Sequence, residues 1–176
     1  MKKQLDIGCS GFVRAEEGFE CFGVDIVDHS NEPNTEHIKQ ADLIIDPIPF
    51  HNNEFDLVTA HDFLEHVPFV IYLPLVKRYE PRSFDDPRNN QIASVIPFRR
   101  DAMIELFNEV YRVLKPGGKF YAKMPCYPNR SVFQDPQHLS FWTDETPNYF
   151  SGDYVGFHDH YGHKSRFELQ DKHVDK

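Results

Sequence analysis

The sequence predicts an α/β fold built on a mainly parallel sheet that is wound on both faces. Short apolar runs bounded by turn residues alternate with segments of helical pattern, the order expected of parallel strands joined by helical crossovers. The 176 residues suit a single domain with one core. A glycine turn follows the first apolar run and an acid ends the second, as in Rossmann-like sheets, which bind ligands at the carboxyl ends of their strands.

The first sixty residues contain four apolar runs that predict strands. They are Gln4–Gly8, Cys21–Ile26, Asp42–Ile45 and Phe55–Ala60. Each run is bounded by polar or turn residues, as strands usually are. Between the first two runs, Phe12–Glu17 predicts a brief helix.

The segment of about residues 68–98 differs from the rest in composition. It contains five prolines and a polar middle at residues 83–91. Long loops inside compact domains tend to be functional or mobile. We therefore predict an irregular insertion or lid within a single domain that spans residues 1–176.

A long amphipathic helix follows this segment. Its apolar stripe consists of Met103, Leu106, Phe107, Val110 and Leu114. The run Lys115–Gly118 ends the helix, because proline cannot continue it and glycine tolerates left-handed geometry. We predict a fifth strand at Lys119–Met124, a helix at Thr143–Phe150 and a final strand at Arg166–Gln170.

Charge and composition restrict the partners. The formal net charge is −9, and the basic pairs lie beside acids. Proteins that grip a phosphate backbone need clustered lysine and arginine, so we expect a small-molecule substrate and no nucleic acid. No stretch is long and apolar enough for a membrane span, and no apolar leader follows Met1, which predicts a cytoplasmic protein without a membrane partner. Three cysteines without CxxC spacing predict reduced thiols.

Three features at strand ends suggest a nucleoside site. The run Leu5–Gly11 is a glycine turn that lets backbone N–H groups approach a ligand closely. Asp25 ends the second strand, where a carboxylate can accept hydrogen bonds from both ribose hydroxyls of an adenosine. Asp42 lies where an adenine amino group can donate to it. Taken singly, these are also features of an ordinary tight turn and of solvated strand ends.

The order of motifs resembles the class I S-adenosylmethionine-dependent methyltransferases. After the glycine turn come Gly23-Val24-Asp25, Phe55-Asp56-Leu57-Val58, Leu64-Glu65-His66-Val67 and Arg112-Val113-Leu114-Lys115-Pro116-Gly117-Gly118. The later run that ends at Gln137-His138 resembles a bacterial and phage subgroup of these proteins. The resemblance implies a seven-stranded sheet with one antiparallel strand and S-adenosylmethionine as cofactor.

Two departures from the family pattern concern the cofactor loop and the tail. Ser10 and Phe12 stand where glycines are usual, and the interval to Asp25 is short by roughly one helical turn. The tail after Leu169 is abbreviated, which predicts a sheet with fewer or frayed C-terminal strands. The resemblance assigns cofactor contacts to Asp6, Gly8, Ser10, Asp25, Ile26, Asp42, Leu43 and His61.

Methyl transfer from a sulfonium is an in-line displacement, so the protein chiefly aligns the reactants and excludes water. A hydroxyl or amine acceptor also needs a base near neutral pKa, a task that suits histidine. The candidates are His138, which we prefer, and His61, Asp62 and His66. Each also has a purely structural interpretation.

The histidine-rich tail, with His158, His160 and His163, is a possible metal site by composition. Its spacing matches no established zinc motif, so we predict no metal. Two other classes stay open. A nicotinamide-dependent oxidoreductase shares the glycine turn and strand-end acid but needs a third glycine. A non-catalytic binding module would retain the fold without the donor site.

Overall fold

The computed structural model describes residues 1–78, 92–151 and 161–174. It divides the chain into two compact units, the first formed by Met1–Phe69 with Ala102–Lys176 and the second by Val70–Asp101. Among the described residues, no helix has the length and apolar character that crossing a bilayer requires.

Along the chain, the described residues form seven strands, one α-helix and three 3₁₀ helices. They are β1 (Lys2–Ile7), β2 (Phe19–Asp25), β3 (Ile38–Gln40), β4 (Phe55–His61), a 3₁₀ helix (Leu64–His66), β5 (Ile71–Arg78), β6 (Ile92–Arg100), α1 (Ala102–Val113), β7 (Leu114–Lys123) and two further 3₁₀ helices (Arg130–Phe133 and Thr146–Tyr149).

A five-stranded sheet forms the centre of the first unit. Its strand order is β3-β2-β1-β4-β7, and all four neighbouring pairs are parallel. The predicted α/β class with a mainly parallel sheet is therefore confirmed. The order of the strands reverses between β1 and β4, so the crevice that binds ligands in such sheets is expected beyond the carboxyl ends of these strands.

The third strand lies just before the predicted one. It is Ile38–Gln40, whereas Asp42–Ile45 form a turn, so that strand prediction was wrong. The Asp42 carboxylate accepts the N–H of Ile44, and the Asp42 carbonyl accepts the N–H of Ile45. An aspartate that bonds the backbone two residues on favours a turn over a strand.

No helix joins β1 to β2, so the predicted helix at Phe12–Glu17 was also wrong. Side chains of β1 bind the backbone groups of this segment instead. Asp6 accepts the Arg14 N–H at 2.9 Å, and Gln4 accepts the Glu16 N–H at 2.8 Å. The Gln4 amide also donates to the Arg14 carbonyl at 2.7 Å. These bonds satisfy the backbone of a short connection that has no room for a full helix.

One face of β1 is therefore polar although it is buried. Successive side chains of a strand point to opposite faces; Leu5 and Ile7 join the hydrophobic core, and Gln4 and Asp6 lie on the other face. The Thr59 hydroxyl bridges the two, donating to Asp6 at 2.8 Å and accepting from Gln4 at 3.1 Å. A hydrogen-bonded loop thus covers a surface where the sequence predicted a helix.

The predicted amphipathic helix is confirmed as α1. Its buried residues include Met103, Leu106, Phe107, Val110 and Val113. Phe107 stacks on Phe150 with ring centroids 4.2 Å apart. The last predicted residue of the stripe, Leu114, is buried but already belongs to β7.

The corner between α1 and β7 explains why the sequence has two glycines there. Gly117 has φ +77°, and a Cβ on Gly118 would lie 2.9 Å from a backbone carbonyl oxygen. Arg112, from the same motif, donates to the carbonyls of Ile48 at 2.7 Å and Phe50 at 2.9 Å. In this chain the motif therefore stabilises a corner of the sheet.

The segment predicted to be irregular contains an antiparallel ribbon. Strands β5 and β6 pair with Pro74 opposite Pro97, so the irregular prediction is wrong for these residues. A two-stranded ribbon consists only of edge strands, where proline is tolerated. The polar middle of the predicted insertion, residues 83–91, lies outside the described residues.

The described C-terminal part has less regular structure than predicted. The predicted helix at Thr143–Phe150 is a single 3₁₀ turn at Thr146–Tyr149. Pro147 lacks the N–H that would make the first α-helical bond to the Thr143 carbonyl, and the Thr146 N–H takes that carbonyl at 3.1 Å.

The predicted last strand, Arg166–Gln170, is also wrong, since it forms only a bridge from Phe167 to Ser151. The side chain of Asn108 accepts the N–H groups of Lys164 and Ser165 just before it. This contact with α1 fixes the backbone without a strand.

Candidate functional site

The glycine turn begins where β1 ends. The Gly8 N–H donates to the Val24 carbonyl at 2.8 Å, which ties the turn to β2. Gly8 has φ +69°, and a Cβ there would lie 2.3 Å from the Phe63 ring. Both its backbone conformation and the close approach of that ring therefore require glycine.

Ser10 continues the turn in place of a glycine. It adopts φ 49°, and its N–H donates to the Asp25 carboxylate at 2.7 Å. Phe12, the other departure from the family pattern, is 75% exposed and does not fill the turn. Burial raises the pKa of the Cys9 thiol to about 11, so this cysteine is protonated at neutral pH and unreactive.

Asp25 is the acid at the centre of the site. It ends β2 and is 7% exposed. One of its carboxylate oxygens accepts the Ser10 N–H, and the other accepts the Val27 N–H at 2.9 Å. A carboxylate offers about four acceptor positions, and these two backbone bonds use two of them. The exposed side chain of Ile26 follows Asp25 directly and offers an apolar surface.

A histidine lies beside Asp25 that the sequence did not single out. The Nε2 atom of His29 is 3.7 Å from a carboxylate oxygen of Asp25, and its Nδ1 atom is 2.9 Å from Glu32. The hydrogen bond to Glu32 raises the pKa of His29. A Cβ on Gly11 would lie 2.8 Å from the His29 ring, which explains the second glycine of the turn.

Asp42 lies near Asp25 along the edge of the sheet. Asp25 pairs with Gln40 in β3, and the Ala41 N–H donates to the Asp25 carbonyl at 2.8 Å. Asp42 thus follows directly after the residues that pair with the end of β2. The Leu43 side chain belongs to the hydrophobic core, so only its backbone is placed to meet a ligand at this edge.

Asp6 differs from the other predicted cofactor residues. Both of its oxygens are engaged, one by the Arg14 N–H and one by the Thr59 hydroxyl, and the residue is fully buried. The carboxylate therefore holds the loop after the glycine turn.

The end of β4 carries the next predicted residues. The His61 ring lies against Tyr121 with centroids 5.5 Å apart. Asp62 is exposed with φ 50°, and its N–H donates to the Lys123 carbonyl at 2.8 Å. A strained turn thus follows β4 at the carboxyl edge of the sheet.

The other two predicted bases, His66 and His138, lie next to each other. Their ring centroids are 5.1 Å apart at an interplanar angle of 77°. A third residue, Glu65, joins them: single ligand atoms of the three side chains all lie within 4.8 Å of one another. Burial raises the pKa of the Glu65 carboxyl. The sequence showed Glu65 as part of a motif but gave no sign of this grouping, because His138 lies far along the chain.

The histidine-rich tail is described only in part. His158 and His160 lie outside the described residues, and the His163 ring packs on Phe150 with centroids 5.5 Å apart. The three cysteines are free thiols, as predicted.

A parallel sheet whose strand order reverses beside β1, with a glycine turn after β1 and an acid at the end of β2, is the arrangement of a Rossmann-like α/β domain. Residues 2–156 match the family described as "Methyltransferase domain". The chain belongs to this methyltransferase domain family. No curated protein matches the sequence.

Solved structures share the fold. A methyltransferase from Archaeoglobus fulgidus, described as S-adenosylmethionine-dependent, matches with TM-score 0.54 and 21% identity over 88% of this chain and 60% of its own. A structure of the Haloferax volcanii Trm112 methyltransferase activator in complex with its methyltransferase partner matches with TM-score 0.53 and 17% identity, over 85% of this chain and 58% of the other. The chain thus spans about 60% of the length of these proteins.

Proposed function

We propose that the protein transfers a methyl group from S-adenosylmethionine to a small-molecule acceptor. The observation that carries this proposal is the position of Asp25, whose carboxylate ends β2, the strand next to the switch point, and accepts a hydrogen bond from the glycine turn at Ser10. The two hydroxyls of an adenosyl ribose are matching donors. The family membership supports methyl transfer as the chemistry.

The remaining groups along this edge fit the other parts of the cofactor. The backbone of Gly8 and Ser10 faces the site of the methionine end, and His61 lies at the end of the neighbouring strand. Asp42 and the backbone of Leu43 suit the adenine ring. The exposed Ile26 suits an apolar contact with adenosine.

The chemistry needs alignment more than covalent help. Bound S-adenosylmethionine supplies a reactive methyl group, and the protein holds the acceptor in line with it while excluding water. His138, His66, His61 and Asp62 are the candidates for receiving a proton from a hydroxyl or amine acceptor. The formal net charge of −9 favours neutral or cationic acceptors over nucleic acid.

A second candidate is a non-catalytic binding module that keeps the fold and has lost the donor site. The observation that favours it is the loop at residues 12–17, which replaces a helix after the glycine turn. Ser10 in a left-handed conformation is a further departure at the same place. Such a module would not bind S-adenosylmethionine even at millimolar concentration.

Thermal unfolding tests the proposed cofactor. S-adenosylhomocysteine at about 100 times its Kd should stabilise the native protein by about 2.7 kcal/mol, which raises Tm by about 5–10 °C in a chain of this size. NAD at the same concentration should leave Tm unchanged, and a shift with NAD alone would favour the oxidoreductase.

Product release separates the enzyme from the binding module. The protein is incubated with S-adenosylmethionine and a set of small molecules that carry hydroxyl or amine groups, and S-adenosylhomocysteine is measured. Release that depends on one acceptor supports the enzyme. Failure to bind S-adenosylmethionine at millimolar concentration, with no release for any acceptor, supports the module.

A further inference from the structure

Three metal-binding side chains meet at the 3₁₀ helix Leu64–His66. A carboxylate oxygen of Glu65 and one ring nitrogen each of His66 and His138 lie within 4.8 Å of one another. Two imidazoles and a carboxylate form a ligand set used for zinc and related divalent cations. None of these residues is needed to explain how Asp25 would bind ribose.

Backbone contacts prepare both imidazoles for a metal. The Nδ1 atom of His66 lies 3.2 Å from the Gln137 carbonyl oxygen, and the Nδ1 atom of His138 lies 2.8 Å from the Val132 carbonyl oxygen. A carbonyl only accepts, so each Nδ1 donates and the neutral ring keeps its lone pair on Nε2. Metal-ligating histidines usually donate their other ring N–H in this way, which fixes tautomer and orientation.

The Glu65 side chain is buried without full hydrogen bonding. The residue is 2% exposed, and among the described residues its Oε2 atom has no hydrogen-bond partner. A buried carboxylate without a partner is costly, and buried charges are normally paired or bound to a metal. A cation between Glu65 and the two imidazoles would remove this cost.

The chain also holds His138 rigidly beside Glu65. The N–H groups of Leu139 and Ser140 both donate to the Glu65 carbonyl, at 2.7 and 3.0 Å. The Ser140 hydroxyl donates to the Leu64 carbonyl at 2.9 Å and accepts from the Trp142 indole at 3.0 Å. The ligand set is therefore organised by the fold before any ion binds, which lowers the entropic cost of binding.

We infer that Glu65, His66 and His138 bind one divalent transition-metal cation of the zinc type. Three protein ligands leave one position of a tetrahedral ion open, the arrangement of catalytic zinc sites. An acceptor oxygen or a water molecule is the ligand expected there. The Phe63 ring packs against the glycine turn at Gly8. Phe63 directly precedes the 3₁₀ helix that carries Glu65 and His66, so these two ligands follow closely in sequence on a residue that contacts the turn.

Zinc titration of the chelator-treated protein tests this inference. Isothermal titration calorimetry without S-adenosylmethionine should show one Zn²⁺ bound with a Kd of about 10 μM or tighter. Glu65→Gln and His138→Ala should each weaken binding at least about tenfold, since even outer-shell changes cost that much. Co²⁺ in place of Zn²⁺ should give a visible absorption spectrum that both substitutions change.

Two controls separate this site from other histidines. His51→Ala removes an exposed histidine elsewhere and should leave Zn²⁺ binding unchanged. His158→Ala with His160→Ala tests the tail, and binding lost only in that variant would overturn the inference. Wild-type protein that binds no Zn²⁺, or a Glu65→Gln variant that melts like wild type and binds Zn²⁺ equally well, would also overturn it. Because no cofactor is present, these results do not depend on the proposed methyl transfer.

Discussion

Replacing Asp25 by asparagine is expected to lower the affinity for S-adenosylhomocysteine about 10- to 100-fold, because hydrogen bonds to a charged group contribute about 1.5–3 kcal/mol. The amide keeps one acceptor oxygen and replaces the other by a donor. That donor faces either the Ser10 N–H or the Val27 N–H, and it cannot serve a ribose hydroxyl as the carboxylate does. Isothermal titration calorimetry of the two proteins measures the difference.

Asp28→Asn is the matched control. Asp28 lies in the same loop and, like Asp25, accepts the N–H of the residue two positions on, here Ser30 at 2.9 Å. The same chemical change at an exposed position should leave the affinity unchanged. Titrations run well below both melting temperatures exclude unfolding as the cause. Equal affinity in wild type and Asp25→Asn would place the ribose elsewhere.

Replacing Gly8 by alanine is expected to destabilise the protein by about 2–5 kcal/mol. A left-handed conformation costs an L residue about 1–2 kcal/mol, and forcing a methyl group into packed surroundings adds about 1–3 kcal/mol. The methyl carbon would lie 2.3 Å from the Phe63 ring. Tm should fall by roughly 4–20 °C, as measured by thermal unfolding.

Gly18→Ala separates the two contributions. Gly18 has φ +85°, and a Cβ there would meet nothing within 4 Å. This variant should lose only the conformational part, about 1–2 kcal/mol. In a double-mutant cycle, Phe63→Ala should make Gly8→Ala less costly, because the ring that clashes is gone. Additive losses would show that Phe63 does not pack on the turn.

The strands and helix that the sequence predicted correctly are those with a strong local pattern. In β1, β2, β4 and α1, the spacing of apolar residues within the element itself indicates both its type and its buried side. After β3 the chain stays apolar at Leu43 and Ile44, as a strand would. The Asp42 carboxylate accepts the N–H of Ile44, and this bond favours a turn there. Hydrophobicity alone does not distinguish those two outcomes.

The absent helix after the glycine turn has a different cause. The pattern at Phe12–Glu17 favours a helix, but Gln4 and Asp6 of the neighbouring strand bind the backbone groups of Arg14 and Glu16. In the sequence, the only sign of these hydrogen bonds is that two polar residues, Gln4 and Asp6, occur within an apolar strand. Their partners become apparent only when the strand and loop are seen in space.

The sequence predicted one part of the candidate site and missed another, for the same reason. Asp25 and the glycine turn follow from their places at strand ends, where parallel strands bring their carboxyl ends together. The grouping of Glu65, His66 and His138 was not predicted, because His66 meets a segment whose Gln137 is 71 residues away along the chain. No sequence motif has a fixed spacing over so many residues, so the histidines of the two segments, His66 and His138, could not be paired from the sequence.

We propose that the adenosyl ribose binds the carboxylate of Asp25 beside the glycine turn. A crystal structure of the protein with S-adenosylhomocysteine tests it most directly. We predict both ribose hydroxyls within hydrogen-bonding distance of the Asp25 oxygens, at about 2.5–3.0 Å, with adenine toward Asp42. A ribose bound away from Asp25, or an empty site at saturating ligand, would contradict the account.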